Sequence, residues 1–150
     1  AYIVPLSRQA LEIVNCLLKG KGRGRRYLLP HRVEPHEKIS ENTLNSAIRR
    51  MGFVGELTGH GLRGTISTAL NELNFNSGWI EAQLSHADTN KVRAAYNHAQ
   101  YVAQRRSMMQ YWADLLDALE HGMSMPEKPV DERTVLQVSI SESGTNMGRL

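Results

Sequence analysis

The sequence predicts a mainly α fold with a small peripheral β-sheet remnant. Five stretches repeat apolar residues at helical spacing, and Ser, Thr, Asn or Gly stand where those stretches begin or end. Strand-like runs are few and short. At 150 residues the chain is long enough to bury a core without disulfides or a metal.

Residues 2–6 are apolar and β-branched at their centre, which predicts a strand that Pro5 confines to an edge or an end. Ser7 then caps a helix running to about Lys19, with Leu11, Val14, Leu17 and Leu18 on its inner side and Gly20 stopping it. Cys16, in the run IVNCLL, belongs to the same buried side. Residues 27–29 suggest a second short strand, and the prolines of PHRVEPHEK mark an irregular loop after it. A helix from Ser40 carries Leu44, Ala47 and Ile48 and ends near Gly52.

Over residues 60–73 a helix puts His60, Arg63, Ser67 and Asn71 on one side and Leu62, Ile66, Leu70 and Leu73 on the other. NSGWIEAQLSH predicts the next helix, with Trp79, Ile80 and Leu84 turned inward and His86 at its end. A short segment, KVRAAYNHAQ, leads into a long helix over about 99–121, whose stripe is Met108, Trp112, Leu115 and Leu119, with Met109 and Leu116 beside it. That stripe is assigned to the chain's own core. Residues 123–150 turn polar and Pro-rich and are expected to be a flexible tail, TVLQVSI being its one strand-like run.

No apolar run approaches the roughly 20 residues of a membrane span, and one cysteine gives no disulfide framework, which fits a reducing cytoplasm. The net charge of +3 is unevenly spread: residues 1–63 hold eleven Lys or Arg against five Asp or Glu, and residues 64–150 hold seven against ten. The densest basic stretch is KGKGRGRR at 19–26. Two readings stand there: a Gly-rich strip whose Lys21, Arg23, Arg25 and Arg26 contact a phosphate backbone without reading bases, or a solvated turn. His31, His36, His98 and His121 show no metal-ligand spacing with acids or with the cysteine.

His60, Arg63, His86 and Tyr96 follow one another in an order suited to metal-free phosphoryl transfer. Such chemistry needs a side chain that forms a stable phosphate ester and cations around the non-bridging oxygens. Tyr96 supplies the first, and Arg63, with its planar fork of donors, fits two phosphate oxygens. His60 and His86 add hydrogen bonds to the same group. A His and Arg in the first turn also meet the positive end of the helix, where an anion is favoured, and the same spacing equally fits the solvated face of an amphipathic helix.

The text around these residues, H-G-L-R, then L-S-H, then A-A-Y-N, resembles the C-terminal catalytic domain of tyrosine recombinases, in particular the integrases of prophages and satellite phages. The resemblance covers residues 49–119. It implies that residues 1–122 form the C-terminal part of a multi-helix catalytic domain, with His60, Arg63, His86 and Tyr96 as its catalytic residues. It singles out Tyr96 among the tyrosines, because only that one stands in A-A-Y-N. Lys91 joins Lys21, Arg23, Arg25 and Arg26 in the expected DNA-contacting set. The implied reaction is site-specific recombination through a 3′-phosphotyrosyl intermediate on double-stranded DNA at attachment sites. Because the ester conserves the energy of the broken bond, no cofactor and no metal is expected. Other integrase protomers, assembled as a tetramer on DNA, are the implied protein partners.

The family also uses a second arginine and usually a lysine, both placed before the strand that residues 2–6 resemble. Neither is matched here, so the expectation is an incomplete catalytic fragment, truncated on its N-terminal side and weak or inactive alone. A non-catalytic DNA-binding module derived from a recombinase is the alternative.

Overall fold

The computed structural model describes residues 2–19, 26–85 and 100–129. They form helices α1 (Arg8–Lys19), α2 (Thr43–Arg50), α3 (Gly59–Glu72), α4 (Ser77–Leu84) and α5 (Val102–His121). The protein is mainly α. Among the described residues the β element shrinks to one antiparallel bridge, Pro30 to Lys38.

The two expected strands therefore do not form. A strand exists by pairing with a neighbour. Around the bridge, the His31 N–H donates to Glu37 (2.7 Å) and the Ile39 N–H to Leu29 (3.2 Å), which closes a single irregular turn. Residues 2–6 instead run against α4 and α5, held through the Tyr2 hydroxyl and the Ile3 carbonyl.

The core sits where α3, α4 and α5 meet. Leu70, Phe75, Trp79, Ile80, Leu84, Met108, Tyr111 and Leu115 form one buried cluster, with Ile66, Leu73 and Trp112 packed against its edge. Trp79, Ile80 and Leu84 thus lie where the pattern puts them. Leu62 does not: it is 48% exposed, because the cluster engages the C-terminal half of α3 and not its first turns.

On α5 the buried row is Arg105, Met108, Tyr111, Leu115 and Ala118. It is rotated from the expected stripe: Leu119 and Leu116 are exposed, and Trp112 is peripheral. Both rows satisfy i, i+3, i+4 spacing, so the neighbour decides. That neighbour is Phe75, whose ring meets Tyr111 at 5.4 Å between centroids and 55° between planes.

Helix α1 departs furthest from expectation. The Ser7 hydroxyl caps it, accepting from the Ala10 N–H at 3.2 Å. Yet Leu11, Leu17 and Leu18 are exposed and Val14 only half-buried, and Cys16 is exposed instead of lying in the core. The helix is held by its first turn through polar contacts. Gln9 Nε2 donates to Asp114 (2.8 Å) and Asp117 (2.7 Å), and the Arg8 N–H donates to Gln110 Oε1 (2.8 Å). Pinned at one end, α1 leaves its apolar row uncovered among the described residues.

Helix α2 starts at Thr43, later than expected, after a turn in which the Thr43 N–H donates to the Ser40 carbonyl at 3.0 Å. Ile48 is buried but Leu44 is exposed. At the other end of the chain, Gly122 (φ +63°) ends α5 in the left-handed region, and the Met123 N–H returns to Ala118 at 2.8 Å. Residues 123–129 then reach back to the core: Lys128 Nζ donates to Asn74 (2.9 Å) and stands 4.8 Å from the Phe75 ring centre. No helix among the described residues is long and apolar enough to cross a membrane.

Candidate functional site

The first turn of α3 is built by two side-chain caps. Thr58 is extended (φ −138°, ψ 159°) and its Oγ1 accepts from the Gly61 N–H at 2.9 Å. Asn45, on α2, accepts from the Gly59 N–H at 2.9 Å and so ties α2 to the start of α3. A Cβ at position 61 would lie 3.2 Å from Thr58 Oγ1, so glycine lets the cap close at normal van der Waals distance.

His60 and Arg63 stand on this turn, three residues apart and therefore on one side of the helix. His60 is exposed and Arg63 half-buried. The N–H groups of Gly59 and Gly61 are hydrogen-bonded to side chains, so these two backbone donors of the first turn are already used.

Of the other expected catalytic residues, His86 and Tyr96 lie outside the described residues, as do Lys21, Arg23, Arg25 and Lys91. Arg26 is described: it is exposed, and its guanidinium carbon lies 5.7 Å from the centre of the Tyr27 ring. Helix α4 ends at Leu84, two residues before His86 in the sequence. Among the competing tyrosines, Tyr111 is buried in the core, Tyr101 is the N-cap of α5 and Tyr2 is bonded to the end of α4. Among the described residues no three His, Cys, Asp or Glu side chains gather to hold a metal ion.

Three supporting residues escaped the sequence pattern. Thr58 carried a signal, an N-cap type three residues before a glycine, whereas Asn45 caps from another helix and carries none. Arg105 is fully buried in the apolar row of α5, a place where a charged residue is not expected.

Comparison with known proteins bears on what this site serves. The chain is 46% identical over 121 residues to the Prophage integrase IntA of Escherichia coli (strain K12), covering 81% of this chain and 29% of that protein. It is 45% identical to the Integrase of Enterobacteria phage P4, covering 77% of this chain and 27% of that one. The Integrase of Shigella phage Sf6 is 39% identical, with 77% and 30% covered. The chain thus spans less than a third of the length of these relatives. No solved structure matches it significantly. The pattern of the phage integrase family fits residues 1–102, which take in the capped turn of α3, L-S-H and A-A-Y-N, and the chain belongs to that family.

Proposed function

We propose that this chain carries the tyrosine-bearing part of a site that breaks and rejoins DNA, and that the protein it serves performs site-specific recombination. The observation that carries the reading is the placement of His60 and Arg63 on one capped, solvent-facing turn, in a chain whose next motifs are L-S-H and A-A-Y-N. The Tyr96 hydroxyl attacks the scissile phosphate, a 3′-phosphotyrosyl ester forms, and the 5′-oxygen leaves with a proton as a hydroxyl. Attack by the 5′-hydroxyl of a partner strand reverses the step and restores the tyrosine. Arg63, His60 and His86 bind the non-bridging oxygens, where charge builds in the transition state. A tyrosine with an unperturbed pKa of about 10 needs such cations to lower the cost of its ionisation.

The partners under this reading are duplex DNA at attachment sites and three further protomers, with Lys21, Arg23, Arg25, Arg26 and Lys91 on the phosphate backbone. Under this reading no residue of the chain takes the place of the second arginine or the lysine used by such sites. The 150-residue chain alone is accordingly proposed to be weak or inactive.

The test uses the intact natural protein that includes this chain, and nicked duplexes spanning the junctions of the genomic element that encodes it. A covalent protein–DNA adduct, resistant to denaturation and lost in Tyr96→Phe, is the expected result. Binding with no adduct, unchanged by Tyr96→Phe, would refute the reading and leave a DNA-binding module.

A further inference from the structure

Arg105 has no ion pair among the described residues although none of it is exposed. Burying an unpaired guanidinium is costly unless its donors are used. Here they are used on three separate segments. Nε donates to Gln83 Oε1 (2.9 Å), Nη1 to the Gln100 carbonyl (3.0 Å), and Nη2 to the Ile3 carbonyl (2.8 Å) and the Tyr2 hydroxyl (3.1 Å). The Tyr2 ring lies against the guanidinium, 5.0 Å from its carbon to the ring centre. The Tyr2 hydroxyl in turn bonds the Ala82 carbonyl and lies 3.0 Å from that of Gln83, in the last turn of α4.

Gln83 and Gln100 bracket the stretch that carries His86, Lys91 and Tyr96. The backbone beside each is in the left-handed region: Ser85 (φ 52°) closes α4 and Tyr101 (φ 46°) opens α5. Non-glycine residues are uncommon there and persist where surrounding contacts hold them. A methionine would fill this place in the apolar row without burying a charge. What it would lack is a rigid fork that reaches Gln83 and Gln100 together.

We propose that Arg105 is a positioning residue: it fixes the relative placement of Gln83 and Gln100, the two points from which the stretch bearing Tyr96 departs and returns. This rests on the reading of Tyr96 as the nucleophile. A misplacement of about 1 Å at a reacting group can cost about a hundredfold in rate, so a tether at both ends acts on the chemical step and not on DNA affinity.

Two measurements test it separately. In a Cys16→Ser background, spin labels on Ser85→Cys and Gln100→Cys report the distance between the ends; both positions are exposed, and Gln100 bonds Arg105 only through its carbonyl. A single narrow distribution is expected. Arg105→Met and Gln83→Leu should broaden it, Arg105→Lys should do so partly, and Leu70→Ala, a core control of comparable destabilisation, should leave it narrow. In the intact protein, Arg105→Met should slow Tyr96 adduct formation about a hundredfold with DNA affinity within about twofold. The proposal is overturned if Gln83→Leu and Arg105→Lys leave the distribution narrow, or if Leu70→Ala broadens it equally, since either makes Arg105 ordinary core. If the ends loosen as expected but the parent protein forms no adduct, the tether stands and the nucleophile assignment fails.

Discussion

Leu70 and Leu11 are the same residue type on amphipathic helices, yet the structure separates them sharply: Leu70 is 1% exposed and Leu11 49%. Truncation to alanine removes three carbons at about 0.8 kcal/mol each when fully buried, near 2.4 kcal/mol for Leu70. The void left in the buried cluster adds a cavity cost, bringing Leu70→Ala to about 3 kcal/mol. For Leu11 only half the transfer term applies, no enclosed void forms, and alanine is the better helix former, so about 1 kcal/mol or less is expected. Urea unfolding of the 150-residue chain, followed by circular dichroism at several protein concentrations, should separate the two by about 2 kcal/mol. Equal costs for both variants would refute the reasoning, because the apolar row of α1 would then be covered in solution.

The start of α3 yields a second expectation: Thr58→Ala and Asn45→Ala each remove a cap and should cost about 1 kcal/mol in urea unfolding, with Thr58→Ser close to the parent. Equal stability of all three variants would show that the turn holds without its caps. Arg63→Lys keeps the charge and loses the fork; losing about 1.5–3 kcal/mol of charged hydrogen bonding corresponds to a tenfold to hundredfold slower cleavage, read from adduct kinetics. A rate within twofold of the parent would remove bidentate phosphate binding from its role. Alanine at Lys21, Arg23, Arg25 and Arg26 should flatten the dependence of log K on log salt by about 0.9 for each phosphate that is no longer neutralised. An unchanged slope in a binding titration would identify the basic stretch as a solvated turn.

Much of the helical framework was legible because its signals are local. Ser7, with an apolar run behind it, announced α1, and Trp79, Ile80 and Leu84 announced the inner side of α4. What stayed hidden depends on partners distant in sequence. Periodicity shows that α1 has an apolar row, but not whether anything covers it, and Cys16 went astray with that row. On α5 the spacing allowed two adjacent rows, and the Phe75–Tyr111 contact selected one that includes a charged residue. The expected strands needed a neighbour that residues 2–6 do not find. In the candidate site, the placement of His60 and Arg63 on one helix was legible from the local pattern. The link from Asn45 to Gly59 was not, because it joins residues 14 apart on different helices.

The position of the core sets how the described part of the candidate site is held. Apolar burial engages Ile66, Leu70 and Leu73 on α3, and the turn that carries His60 and Arg63 extends beyond it. Side-chain caps from Asn45 and Thr58 hold that turn, on which His60 is exposed and Arg63 half-buried. The same division recurs at α4, whose buried Trp79, Ile80 and Leu84 anchor the helix that precedes His86 and Tyr96 in the sequence. A hydrophobic core is non-directional and sets the places of helices, not the aim of the groups beyond their ends. Directional contacts supply that aim, and among the described residues they include the hydroxyl of Thr58, the amide of Asn45 and the guanidinium of Arg105. Substitutions at these three positions should therefore affect geometry at the site more than their stability cost implies, the opposite of what truncation of Leu70 or Ile80 should do.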